Sequence, residues 1–173
     1  MEATKKYLNE LTYKVIGCAI EVHKHLGPGL LESIYEKCLL KELQLRGIDC
    51  RSQICVPLNY KGLQFETELR LDVLVEDILC VELKAQEGLL PIHDAVLLSY
   101  MQMLQKPKGI LINFHCVNIF KEGQKTLVNG LFSSLPDQEK KLCDRLCKKE
   151  LNHIERYFEQ HRKTGKNIVK WKL

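Results

Sequence analysis

The stretch that most constrains this chain is Leu71-Asp72-Val73-Leu74-Val75, Glu76-Asp77, then Ile78-Leu79-Cys80-Val81-Glu82-Leu83-Lys84-Ala85. Two aliphatic, partly β-branched runs flank an acidic turn, which is the signature of a β-hairpin. The register follows from the side chains. A two-residue loop at Glu76-Asp77 would set Leu71 opposite Glu82 and Asp72 opposite Val81, mixing charge and apolar surface on both faces. A three-residue loop, Glu76 to Ile78, pairs Val75 with Leu79, Val73 with Val81 and Leu71 with Leu83. One face is then wholly apolar, and the other carries Asp72, Leu74, Cys80, Glu82 and Lys84. A one-residue slip flips every side chain to the other face, so the segregated register is expected.

That register predicts Asp72 directly opposite Glu82, with Cβ atoms about 4.5–5.5 Å apart. Lys84 follows two residues after Glu82 on the same face. Two adjacent carboxylates repel unless a cation lies between them. A divalent metal with oxygen ligands meets that need, and the Leu83 carbonyl can supply a further oxygen. The plain alternative is a solvated strand face with a cross-strand ion pair.

Around this hairpin the chain alternates helices and strands. Leu8, Leu11, Val15, Cys18, Ala19, Val22 and Leu26 recur at helical spacing within Thr4–Leu26. Gly27-Pro28-Gly29 breaks that helix. A second is expected from Leu30 to about Arg46, with Leu31, Ile34, Cys38, Leu39 and Leu43 facing the core and Gly47 as its stop. Glu32 and Tyr35 share a face of it; a carboxylate in a first turn also simply complements the helix dipole. Asp49–Tyr60 reads as a strand turning at Lys61-Gly62 into Leu63-Gln64-Phe65. Pro91 opens a helix to about Gln105 on which His93, Val96 and Tyr100 form a stripe. Gly109–Phe114 reads as a buried strand, and Val117–Val128 as a hairpin turning at Lys121-Glu122-Gly123. Helices between strands imply an α/β fold, a mixed sheet whose crossover helix starts near Pro91.

Pro136 to about Arg162 has the pattern of another amphipathic helix, with Leu142, Leu146, Leu151, Ile154 and Phe158 on one side. The segment 136–173 holds eleven Lys and Arg against six Asp and Glu, so the formal charge of +4 is concentrated there. A basic helix can follow phosphates or simply be a solvated face. The domain division expected is 1–130 and 131–173. No apolar run approaches the length of a membrane span. The eight cysteines are scattered through apolar runs without a CxxC, which suits buried thiols and a reducing, cytoplasmic setting. Cys143 and Cys147, one helical turn apart, read as buried thiols or as a metal pair.

With these residues in place the chain resembles the GxxExxY family, a branch of the PD-(D/E)XK nuclease superfamily. The motif stands as Gly29-Leu30-Leu31-Glu32-Ser33-Ile34-Tyr35. Around it are Ala19-Ile20-Glu21-Val22-His23, Arg70-Leu71-Asp72, Val81-Glu82-Leu83-Lys84-Ala85, Pro91-Ile92-His93 and Leu111-Ile112-Asn113-Phe114. The likeness runs from about Asn9 to Gly130. It implies a restriction-endonuclease-like core, a mixed central sheet flanked by helices, to which the C-terminal basic helix is added. It also implies a divalent-metal-dependent nuclease using Mg2+ or Mn2+ on nucleic acid, DNA ahead of RNA. Catalytic roles fall to Glu32, Asp72, Glu82 and Lys84; metal ligation to Asp72, Glu82 and the Leu83 carbonyl; substrate contact to Tyr35, His93 and Tyr100. His93 equally suits a plain helix-start histidine.

The sequence departs from the family at one position. Related chains usually carry a glutamine four residues before the tyrosine of the crossover helix, where this chain has Val96 before Tyr100. Valine offers no hydrogen bond, which motivates a competing expectation: a nucleic-acid-binding or regulatory module with little cleavage. A third is an interaction domain, or a homodimer, joined through the C-terminal helix.

Overall fold

A computed structural model of the chain describes residues 3–65 and 69–138. The first helix, α1, runs Lys5–Leu26, and its N-cap Thr4 accepts the Tyr7 N–H on its hydroxyl at 3.1 Å. Of the anticipated stripe, Leu8, Leu11, Val15, Cys18, Ala19 and Val22 are buried, whereas Leu26 at the helix end is exposed. The helix stops at Gly27, where φ is +67°, a conformation glycine takes at little cost. The second helix, α2, is Glu32–Leu45, and starts two residues later than expected. Its buried side chains are Tyr35, Leu39 and Leu43, at i, i+4 and i+8. That stripe turns Leu31 (74% exposed) and Ile34 (39% exposed) out of the core in which the sequence placed them.

Five strands form one sheet in the order β1 (Cys50–Cys55), β4 (Arg70–Val75), β5 (Leu79–Lys84), β6 (Lys108–Asn113), β7 (Gln124–Val128). Between β1 and β4 the chain forms a separate two-stranded ribbon of β2 (Leu58–Tyr60) and β3 (Leu63–Phe65). The single strand expected over Asp49–Tyr60 is thus two strands in different sheets, parted at Val56-Pro57. Proline cannot donate to a ladder, which favours a break there. Helix α3 (Pro91–Met103) crosses over to set β6 parallel to β5; the other pairings in the sheet are antiparallel. The crossover near Pro91 is as anticipated. Residues 117–123 instead form a loop, because the Glu122 carboxylate accepts the Val117 and Asn118 N–H groups at 2.8 and 3.2 Å. Only β7 of the expected hairpin is a strand, and it pairs with β6.

The sheet has an apolar layer on each side. Val73, Val75, Leu79, Val81, Leu83, Ile110 and Ile112 pack with α1 and α2; Leu71, Leu74, Cys80 and Leu111 pack with Leu97 and Met101 of α3. A Cβ on Gly109 would come within 2.7 Å of the Met101 sulfur and 3.0 Å of Leu97, so glycine there lets α3 lie close on β6. No helix among the described residues is long and apolar enough to cross a membrane. The C-terminal helix expected from Pro136, the Cys143/Cys147 pair and a dimer contact through them lie outside the described residues.

Candidate active site

The three-residue loop is present: Val75 pairs with Leu79 and Val73 with Val81. Beyond that rung the hairpin departs from expectation. The ladder between β4 and β5 ends there, and Asp72 is not paired with Glu82 through the backbone. The Asp72 carboxylate instead accepts the Leu83 N–H on Oδ2 at 2.7 Å. Leu71, expected beside Val73 opposite Leu83, packs in the α3-side layer with Leu74 and Cys80. The strand therefore changes face at Asp72, and its carboxylate, not its backbone, bridges to β5.

Glu82 is buried, with 7% of its surface exposed. Its Oε1 accepts from the Lys84 ammonium at 3.0 Å, while its Oε2 is buried without a hydrogen-bond partner. Lys84 also donates to the Leu83 carbonyl at 2.7 Å. One ammonium thus contacts both the carboxylate and the carbonyl that the sequence nominated as metal ligands. Burial, and then the charge of Asp72, push the Glu82 carboxyl up to about 7, against the pull of Lys84. Burial also raises Asp72, with the Leu83 N–H and the Lys84 charge opposing it. Burial pulls the Lys84 ammonium down, but Glu82, Glu32 and Asp72 outweigh it and the net shift is upward. Lys84 therefore stays charged at neutral pH.

Glu32 reaches this group from another part of the chain: its Oε1 accepts the Ala85 N–H at 3.1 Å, just past the end of β5. A cleft of about 570 Å³ is lined by Leu30, Leu31, Glu32, Ser33, Glu36, Gln53, Asp72 and Ala85. Glu32, Asp72, Glu82 and Lys84 are thus brought together. Among the described residues no three of His, Cys, Asp and Glu converge into a metal cluster. What does lie together here is two strand carboxylates, Asp72 and Glu82, and the Leu83 carbonyl.

The three expected substrate contacts fare differently. Tyr35 is fully buried and cannot meet a substrate. Its hydroxyl donates to the Gly27 carbonyl at 2.6 Å and accepts the Leu30 N–H at 3.1 Å, while its ring stacks on Phe114 at 4.2 Å. It pins the loop before Glu32 to the sheet, which is how it serves the site. His93 accepts the Leu90 N–H on Nδ1 at 3.0 Å, a helix-start role, and lies against the Gln86 side chain. Tyr100 of α3 is half-buried; burial and then the Glu82 and Asp72 charges raise its hydroxyl, placing it in their field.

Three residues around the site, Glu36, Gln53 and Gln86, were not singled out by sequence, and a fourth, Asn113, stood there only within a quoted motif. Glu36 lies one turn after Glu32 and lines the same cleft, a relation its i, i+4 spacing could have revealed. Gln53 faces it from β1, donating to Glu36 Oε2 at 2.8 Å. Asn113, buried at the end of β6, accepts the Gln86 N–H at 3.2 Å and donates to the Gln86 carbonyl at 2.7 Å. That reciprocal pair holds the loop that follows Lys84. No sequence signal marks Gln53 or Gln86 for these contacts.

A family model of the PD-(D/E)XK nuclease superfamily matches residues 9–126. No curated protein and no solved structure matches the chain.

Proposed function

Because the chain belongs to the PD-(D/E)XK nuclease superfamily, we propose that it is a divalent-metal-dependent nuclease that hydrolyses phosphodiester bonds, those of DNA ahead of RNA. The superfamily model carries the nuclease class, and its nucleases generally use divalent metals. The observation that carries the reading for this chain is the orphaned Glu82 Oε2, buried beside Asp72. An unpaired buried carboxylate oxygen is costly, and a cation between the two carboxylates removes that cost. The donor set is all oxygen, which suits Mg2+ or Mn2+ rather than a softer metal. Asp72, Glu82 and the Leu83 carbonyl would hold it.

A divalent cation bound there supplies Lewis acidity toward a phosphate oxygen and makes water a better nucleophile at neutral pH. The remaining work belongs to the chain. Lys84, charged and held by Glu82 and the Leu83 carbonyl, places positive charge where negative charge gathers in the transition state. Glu32, anchored on the Ala85 N–H, sets a further acceptor at the cleft wall, able to orient water. Tyr100 offers a hydroxyl on the α3 side. Leu83 N–H and Asn113 keep Asp72 and the loop after Lys84 in place, so little reorganisation is needed on binding substrate.

Val96 supports the second reading, a module of the same fold that binds nucleic acid and cuts little. Cleavage of labelled single- and double-stranded DNA and RNA, with magnesium, manganese or chelator, tests both readings beside the Lys84→Ala protein. Metal-dependent cutting lost in the variant supports the nuclease. Tight binding of nucleic acid without cutting by either protein supports the module.

A further inference from the structure

The rung that carries Asp72 is abnormal on both strands. In the β1–β4 ladder Ser52 pairs with Val73 and Ile54 with Leu71, so Gln53 stands opposite Asp72, yet that rung is unmade. Gln53 has φ of +52° in the middle of a strand. A left-handed conformation is unfavourable for a non-glycine residue, and glutamine has no special tolerance for it. The consequence is visible on either side. Cys50 and its partner Val75 pack on the α1/α2 side, whereas Ile54 and its partner Leu71 pack on the α3 side. Both strands therefore change face at this one rung. The Gln53 carbonyl, released from the ladder, accepts from the Arg70 guanidinium at 3.3 Å. Its amide lines the cleft, donates to Glu36 Oε2 at 2.8 Å and lies within reach of Asp72.

We propose that Gln53 is a positioning residue: its twisted backbone turns Asp72 toward β5, and its amide ties Glu36 aside and steadies Asp72 for the metal. The proposal rests on the metal-dependent reading above. It explains why a residue in the middle of a strand holds a strained left-handed backbone and carries a polar side chain on the cleft. It also gives Glu36 a defined place. Three carboxylates (Glu32, Asp72 and Glu82) act on the Lys84 ammonium, while Glu36 lies in the field of Asp72 and on the same cleft; an unrestrained Glu36 would compete for the cation or repel the substrate phosphate.

The test is manganese binding by calorimetry on the full chain, together with the thermal stability of the metal-free protein in chelator. Gln53→Met keeps length and backbone preference but removes the amide. Gln53→Gly accepts the positive φ without strain and also lacks the amide. Both are expected to hold the unfolding temperature of the parent, or in the glycine case exceed it, while manganese affinity falls about tenfold, the lower range seen when partners that orient metal ligands are removed. Gln53→Asn, which tolerates the left-handed region and keeps an amide, is expected to recover part of the loss. Parental manganese affinity in either amide-free variant that folds overturns the proposal. A glycine variant whose loss of affinity matches a loss of stability, with the methionine variant unaffected, also overturns it, since the role would then be structural. Affinity that falls as expected in a protein that never cleaves overturns the nuclease reading and leaves the role of Gln53 standing.

Discussion

Replacing Glu82 by glutamine gives the most direct measure of how this site is built. Burial and Asp72 raise the Glu82 carboxyl from an ordinary 4.5 to about 7. Between those values the folded protein holds a proton on Glu82 that the unfolded chain has released. Stability therefore falls as pH rises through the window, because the native state binds more protons than the unfolded state. A tenfold difference in proton affinity between the two states is worth about 1.4 kcal/mol, so the full window costs about 3 kcal/mol, of which roughly 2 to 3 fall between pH 5 and pH 8. Glu82→Gln has no such ionisation. Its amide leaves one buried donor unpaired beside the former Oε2 and alters the Lys84 contact, but neither change depends on pH in this range while Lys84 stays charged. The stability of Glu82→Gln minus that of the parent should thus rise by about 2 to 3 kcal/mol from pH 5 to pH 8. Urea unfolding of both proteins, in chelator and at a series of pH values, reads this difference. A gap that stays constant across the range would refute the burial of Glu82 against Asp72. Saturating manganese at pH 8 should reverse the sign, because only the parent gains a counter-ion for both carboxylates.

Further outcomes follow from the same geometry. Lys84→Ala is expected to lower cleavage about 10²- to 10³-fold, the usual loss for one group aimed at transition-state charge; a rate within a few-fold of the parent would remove Lys84 from catalysis. Manganese at a hundred times its dissociation constant should stabilise the parent by about 2.7 kcal/mol, read as a rise in unfolding temperature, and Asp72→Asn should abolish most of that rise; an equal rise in both proteins excludes Asp72 as a ligand. Tyr35→Phe deletes the bond to the Gly27 carbonyl and strands the Leu30 N–H, at a cost of about 1–3 kcal/mol in thermal or urea unfolding. Leu31→Ser supplies α2 with the side-chain cap it lacks and should stabilise the fold by about 1 kcal/mol; no gain would show that another group already serves those N–H donors.

Much of the order of the elements, and the charged residues that gather at the candidate site, were legible along the chain, because they rest on local patterns. The apolar alternation of Val73, Val75, Leu79 and Val81 selected the loop length and hence the pairing of β4 with β5. Gly27 and Pro91 marked a helix end and a helix start through constraints on their own backbone. The motifs placed Glu32, Asp72, Glu82 and Lys84 in one site, and they do converge. Other features were decided only by tertiary contacts. Periodicity says which face of an element is buried, but it assumes the element is regular, and β1 and β4 stop being regular at Gln53 and Asp72, where no residue type signals a break. Tyr35 shares its motif with Glu32, yet the stacking partner that buries it, Phe114, lies at the far end of the crossover. The same holds for α2, whose register follows Tyr35, Leu39 and Leu43 and leaves Leu31 and Ile34 exposed. Sequence determined which groups carry charge and in what order; the sheet decided where two strands part, and so which way Asp72 faces, because a lost rung is settled by partners many residues away.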